Sequence, residues 1–240
     1  MPNNGWVQVD DQSLATYTPV GWNRPLVTLT FDDGYEENVQ TVLPVLDKYG
    51  FKSTQCYETQ DIEGVPGASD MVMDFYNDGH EICAHTVTHP FLTTLTTSQV
   101  DYELSHSQQV LQNIIGAPVK DFASPYGDYN QAVNVEIAKY FQSHRTVDEG
   151  YNSKDNFDKY RLRVQNMTPD TTIQEFQYWL DKAKATNTWL ILVYHRVTND
   201  TPEAFDSTVP EFNQQMQALS NSGLTVRTWA DALAEVQSQL

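Results

Sequence analysis

Two cysteines in a chain of 240 residues are too few for a disulfide scaffold, so packing must hold the core. Both, Cys56 and Cys83, sit in short apolar runs, and buried free thiols are the default expectation; two neighbouring strands would bring them close enough to bridge. Long apolar stretches are lacking as well. None reaches 18 residues, which excludes a membrane-spanning helix. Positive charge is scarce: 14 Lys and Arg stand against 32 Asp and Glu, a net charge of −18. A phosphate backbone would meet repulsion here instead of the counterion release that drives its binding, so no nucleic-acid partner is expected. The acidity reads first as a solubilising surface. No internal repeat and no low-complexity segment is present, which removes solenoids and arrays.

What the chain does contain is length and period. At 240 residues, one large domain with a single core is expected. Residues 1–25, ending in Pro-Val-Gly-Trp-Asn-Arg-Pro, show no clear period and read as a lead-in or linker remnant before a domain over 26–240. Leu26 to Phe31 is a β-rich apolar run. Residues 36–49 carry helical spacing through Val39, Val42, Leu43 and Leu46, stopped by Gly50, and 51–57 is a second apolar run. Further runs fall at 80–85, 119–124, 143–147, 160–165, 189–195 and 224–227. Between the third and fourth lies a helix whose Thr96 and Gln99 fit a capping box, and other helices are expected near 128–141, 171–185, 210–222 and 228–240. Strands alternating with helices of this length predict an α/β fold, a distorted (β/α) barrel with seven or eight mostly parallel strands.

In such folds chemistry gathers where strands run into their following loops, because side chains there converge on one mouth. Asp32 and Asp33 end the first run, His85 and His89 follow the third, a Ser-Pro-Tyr-Gly turn over 124–127 ends the fourth, and His195 ends a late apolar run. Packing does not account for ionisable groups in those places. His85 and His89, four apart, put both imidazoles on one side of a turn where they can bind one cation, and a carboxylate from Asp32 or Asp33 would complete a facial set with open positions. Open positions mean catalysis. Two adjacent carboxylates after an apolar strand are costly to bury unless paired or metal-bound, which strengthens that reading. His80 and His144, near strand starts, and His106, on a helix, read as structural or exposed.

Thr30-Phe31-Asp32-Asp33-Gly34 and His85-Thr86-Val87-Thr88-His89-Pro90 resemble the first two signature motifs of the polysaccharide deacetylases, the NodB-like carbohydrate esterase family 4. The resemblance runs over about residues 26–230, through Gly79-His80-Glu81-Ile82, Pro125-Tyr126-Gly127 and Leu192-Val193-Tyr194-His195. It implies a metal bound by Asp33, His85 and His89, with Asp32 as general base, His195 as general acid and the backbone N–H of Tyr126 as oxyanion donor. Zinc is the expected ion, with cobalt, nickel or manganese compatible with the same ligands. Pro125, Val193 and Tyr35 are the candidate substrate contacts, Val193 as a wall for the acetyl methyl group. The implied substrate is an acetylated polysaccharide, in particular one containing N-acetylglucosamine, acted on by a monomer without a membrane span. Residues 1–5 lack the basic and apolar regions of a signal peptide. On the implied function, a secreted or cell-surface protein with its leader removed is nevertheless expected.

Two departures stand out. Ala123-Ser124-Pro125-Tyr126 puts alanine where the family carries an arginine beside the base, and no Asp-x-x-Asp-Trp motif follows. The style resembles exopolysaccharide and poly-N-acetylglucosamine deacetylases. Arg145, on the next strand, is the candidate replacement. Strand alternation puts Arg145 and Val147 on one side and Thr146 and Asp148 on the other, so Asp148, if inward, would instead pair with His195. Two other readings remain open at this point: an inactive carbohydrate-binding homologue, favoured by the missing motifs, and a metal-dependent amidase for small molecules.

Overall fold

The structure is a computed structural model that describes residues 18–240. The lead-in expected over 1–25 lies largely outside the described residues. Its last stretch is fastened to the body: Trp22 is buried and its indole N–H donates to the Asn152 carbonyl at 2.8 Å.

Seven parallel strands form a closed barrel: β1 (Leu26–Phe31), β2 (Thr54–Tyr57), β3 (Glu81–Ala84), β4 (Asp121–Ala123), β5 (Ser143–Glu149), β6 (Leu162–Asn166) and β7 (Trp189–Tyr194). β7 closes on β1 along the whole strand, from Leu26 opposite Trp189 to Phe31 opposite Tyr194. On its other side β1 meets β2 only at Thr30 and Phe31. The gap below is filled by a short strand, β10 (Thr225–Val226), which pairs with Leu26 and Val27, and this wedge is the distortion of the barrel. Two further short strands, β8 (Val197–Thr198) and β9 (Ser207–Thr208), form a separate ribbon beside the mouth.

The helices are α1 (Asn38–Thr41), α2 (Leu43–Tyr49), α3 (Ala68–Asn77), α4 (Thr97–Ile115), α5 (Gln131–Tyr140), α6 (Ile173–Thr186), α7 (Val209–Ser222) and α8 (Trp229–Gln237). The single helix expected over 36–49 is two, parted at Val42, because Pro44 has no N–H to donate and its ring crowds the carbonyl four residues back. α3 had no counterpart in the sequence reading; it follows Gly-Val-Pro-Gly and buries Val72 and Phe75. The capping box of α4 is present, with Thr96 and Gln99 as its partners.

Alternation along the strands builds two apolar layers. Leu26, Cys56, Cys83, Ala123, Val164 and Ile191 fill the barrel, while Val27, Leu29, Phe31, Leu190 and Leu192 face the helices. The floor is shut by α8, whose first-turn N–H groups at Trp229 and Ala230 donate to Thr54 Oγ1 (2.9 Å) and Glu81 Oε2 (2.8 Å). The default expectation of free thiols is corrected: Cys56 and Cys83 are register partners on β2 and β3 and form a disulfide. Facing positions on adjacent strands, with Cα atoms 4.4 Å apart, satisfy the geometry that spacing in sequence does not reveal.

Candidate active site

At the carboxyl ends of β1 and β3 three ligand-type atoms converge. Asp33 Oδ1 lies 3.3 Å from His85 Nε2 and 3.4 Å from His89 Nε2, and the two imidazole nitrogens are 3.2 Å apart. Tetrahedral bonds of about 2.0–2.1 Å need ligand atoms about 3.3–3.4 Å from one another, so this triangle fits a zinc-like ion. Asp33 Oδ1 is buried with no hydrogen-bond partner, the state of an atom shaped for a cation. His85 Nδ1 bonds the Ala123 carbonyl at 2.8 Å, which fixes the ring and leaves Nε2 to face the triangle. Burial would raise the Asp33 carboxyl, but the His85 and His89 imidazoles beside it outweigh that and hold it well below the usual carboxylate range.

The backbone under these groups is strained. Among the described residues five non-glycines have positive φ, and four of them stand here: Asp33 (69°), Thr86 (70°), His89 (55°) and Tyr126 (56°). Each costs about 1–3 kcal/mol and persists only where surroundings over-determine it. Gly34 (φ 78°) continues the first turn, and a Cβ there would lie 2.4 Å from the Tyr57 ring. The histidine turn is clamped by Glu103 of α4, buried beneath it. Its carboxylate accepts the N–H groups of Val87 (2.8 Å) and Thr88 (2.9 Å) and the Thr88 hydroxyl (2.7 Å). Inside the turn, Thr86 Oγ1 accepts the His89 N–H at 3.0 Å.

Asp32 is not a corner of the triangle. Its carboxylate, only 3% exposed, receives one guanidinium nitrogen of fully buried Arg145 at 2.6 Å from Oδ1 and 2.5 Å from Oδ2. The arginine therefore reaches from β5 to the position left by Ala123 on β4, its register partner. His195 follows β7, with its carbonyl held by Asn38 Nδ2 at 2.9 Å and its Nδ1 buried without a partner. Burial pushes its imidazole below the usual histidine value, against the pull of the Asp32 and Asp33 carboxylates. In the Pro125-Tyr126-Gly127 turn the Gly127 and Asp128 N–H groups bond the Ser124 and Pro125 carbonyls, and the Tyr126 N–H takes part in neither bond. Gly127 is obligatory there, since a Cβ would lie 2.2 Å from Val147 Cγ2. A cavity of about 680 Å³ opens over Asp32, Asp33, His85, His89 and His195.

The polysaccharide deacetylase family model matches residues 21–143, half of the chain and the stretch that carries both aspartates, both turn histidines and Tyr126. The chain belongs to the polysaccharide deacetylases. Chitin deacetylase 2 of Cryptococcus neoformans is 25% identical over 218 residues, 88% of this chain and 44% of that protein. Peptidoglycan-N-acetylglucosamine deacetylase of Bacillus cereus is 27% identical over 141 residues, 53% of this chain and 50% of that protein. The chain thus spans about half the length of these curated relatives. Among solved structures, a family 4 carbohydrate esterase from Streptomyces lividans, in complex with acetate, is 26% identical with a TM-score of 0.61, covering 84% of this chain and 91% of that one.

Within this deacetylase barrel, four candidate residues do not line the cavity: Arg145, which meets Asp32 beneath it, and Asp148, Val193 and Pro125. Asp148 points away from it: its carboxylate accepts the Tyr129 hydroxyl at 2.9 Å and faces Arg161 at 3.4 Å, because the inward side of β5 belongs to Arg145 and Val147. It does not pair with His195. Val193 is fully buried in the barrel interior, one pleat below His195, and Val147 supplies the apolar lining instead. Pro125 is buried behind the turn, whereas Tyr35 does line the cavity. The sequence reading did not single out Phe205, whose ring lies 5.3 Å from that of His195, nor Trp179 and Glu175 of α6, which line the far end. Glu103 was not singled out either. His80 and His144 are the buried structural residues expected of them; His144 bonds Ser124 Oγ at 2.6 Å and the Tyr160 carbonyl at 2.9 Å.

Proposed function

We propose that this polysaccharide deacetylase is a metal-dependent hydrolase that removes N-acetyl groups from a polymer containing N-acetylglucosamine. The observation that carries the reading is the triangle of Asp33 Oδ1, His85 Nε2 and His89 Nε2 beside a carboxylate, Asp32, that stays outside it. Asp33, His85 and His89 would hold a divalent ion, zinc or alternatively cobalt, nickel or manganese, which would supply the Lewis acidity that acidifies water and polarises an acetyl carbonyl. Asp32, kept in place by Arg145, takes the proton of the attacking water. Tyr126 N–H donates to the oxygen that becomes negative as the carbonyl carbon turns tetrahedral. His195 gives a proton to the nitrogen as the C–N bond breaks, so acetate and a free amine leave. Tyr35 and Val147 border the acyl group. The catalytic domain runs over 26–240 in this reading, with Trp22 packed onto it. The relatives named for chitin and peptidoglycan support an assignment to the secreted or cell-surface fraction.

The test is metal analysis together with acetate release from peptidoglycan, chitin oligomers, poly-N-acetylglucosamine and acetylxylan. Asp32→Ala and His195→Ala are expected to lose roughly two to four orders of magnitude in turnover while retaining metal. His85→Ala loses the metal as well. A protein that binds no divalent ion and releases no acetate from any of the four would refute the proposal.

A further inference from the structure

At the rim of the cavity, beside the histidine turn, two aromatic rings are stacked in the open, Tyr126 within its lining and Phe91 beyond it. Phe91, two residues after His89, lies with its ring centroid 4.1 Å from that of Tyr126 at an interplanar angle of 13°. Phe91 is 51% exposed and Tyr126 54%. Tyr126 is enclosed on two flanks, since His89 meets it nearly edge-on with centroids 4.6 Å apart. Phe91 keeps about half of its surface open beside it. Two large aromatics exposed side by side mark a contact surface more readily than single scattered ones, and Tyr126 sits against a metal-ligand candidate.

The pair is also built to keep its shape. Tyr126 belongs to the positive-φ turn, and Asp128, two residues on, accepts the Thr93 N–H at 2.7 Å and the Thr93 hydroxyl at 2.9 Å. Those two bonds tie the loop carrying Phe91 to the loop carrying Tyr126. A pre-ordered apolar face next to a polar cleft suits a ligand with one flat apolar side and polar edges, and a pyranose ring, with its axial C–H bonds on one face and hydroxyls around its rim, has that form.

On the deacetylase reading above, we propose that Phe91, backed by Tyr126, is a stacking subsite for the sugar unit next to the one that loses its acetyl group. The cavity over the Asp33, His85 and His89 triangle is also lined by Phe205 and Trp179, and Phe91 is not part of that lining. Contacts therefore extend beyond the reacting unit, and the enzyme favours units within a chain over single sugars.

The experiment compares the zinc-loaded wild type, Phe91→Ala, Phe91→Trp and a control, Val135→Ala, which removes an exposed apolar side chain from α5. Initial rates of acetate release are measured on N-acetylglucosamine oligomers of one to five units, alongside saturation-transfer NMR with the tetramer. The wild type is expected to gain in kcat/KM with oligomer length. Phe91→Ala raises KM for the tetramer about fivefold to tenfold, flattens the length dependence and weakens the saturation transfer, whereas Phe91→Trp restores all three and Val135→Ala changes none. The same KM and the same saturation transfer in Phe91→Ala as in the wild type would overturn the subsite, as would absence of any tetramer binding to the wild type. Binding that depends on Phe91 without acetate release would support the subsite and sink the deacetylase reading instead.

Discussion

Replacing Arg145 by methionine tests the ion pair under the candidate site. Arg145 is fully buried and Asp32 is 3% exposed, with one guanidinium nitrogen bridging both carboxylate oxygens. The remaining donors are poorly served: one reaches the Thr146 carbonyl at 3.2 Å and Nε has no partner. At about 4 Å between charge centres and an effective dielectric near 20, the attraction is about 4 kcal/mol, comparable with the cost of taking the two ions out of water. The pair as a whole is therefore close to neutral for stability. Removing one member is different, because the other is left as a buried unpaired charge, at a cost of about 3–5 kcal/mol. Against a total of about 5–15 kcal/mol, Arg145→Met gives up a large share of the fold. The double variant Asp32→Asn/Arg145→Met removes both charges and is expected to recover most of the loss, with a coupling of about 3 kcal/mol, while staying inactive. Urea unfolding at neutral pH, analysed by linear extrapolation with the slope checked for constancy, supplies the four free energies of the cycle. A loss under about 1 kcal/mol in Arg145→Met, or a double variant as unstable as the sum of the singles, would refute the reasoning.

Two more expectations rest on buried groups. Glu103→Ala strips the histidine turn of three hydrogen bonds and is expected to weaken metal affinity roughly 10–100-fold in a chelator competition. Glu103→Gln, whose amide oxygen still accepts the Val87 and Thr88 N–H groups, recovers most of it; a loss of stability with unchanged metal affinity would remove the clamp from the site. His144 is fully buried and desolvation pushes its imidazole down to about 3, so it stays neutral in the fold while an unfolded chain takes up the proton near 6.5. Its stabilising share is complete above pH 6.5 and is lost as pH falls towards 3, by about 1.4 kcal/mol per pH unit. Between pH 6.5 and 5 the wild type is therefore expected to lose about 2 kcal/mol more than His144→Asn, and equal slopes in acid unfolding curves would contradict this.

Much of this molecule was legible because period and polarity sit on different residues. The apolar runs gave the strand order of a barrel, and the polar residues just past them gave its mouth. Arg145 could be named because alternation along β5 leaves it facing the vacancy at Ala123, and the same alternation turns Asp148 outward. The rest depends on information that pattern does not carry. Nothing in the identity of Asp33, Thr86, His89 or Tyr126 announces a left-handed backbone, since each adopts it only under restraint by residues distant in sequence. Glu103 sits on a helix with other charges and becomes distinct only when the turn above it is folded. α3 was hidden by the Gly-Val-Pro-Gly punctuation before it, and the pairing of Cys56 with Cys83 by the fact that strand register is a three-dimensional property.

That disulfide also carries a record of where the chain folded. Both sulfurs belong to fully buried residues inside the barrel, beyond the reach of a dissolved reductant or oxidant while the strands stay closed. The bond must form before or during closure, and bonds of this kind are rarely made where glutathione and thioredoxin keep thiols reduced. Once the barrel shuts, its redox state no longer follows the surroundings. Alkylation of the unfolded protein, read by mass, would thus report the environment of maturation and not that of the sample tube.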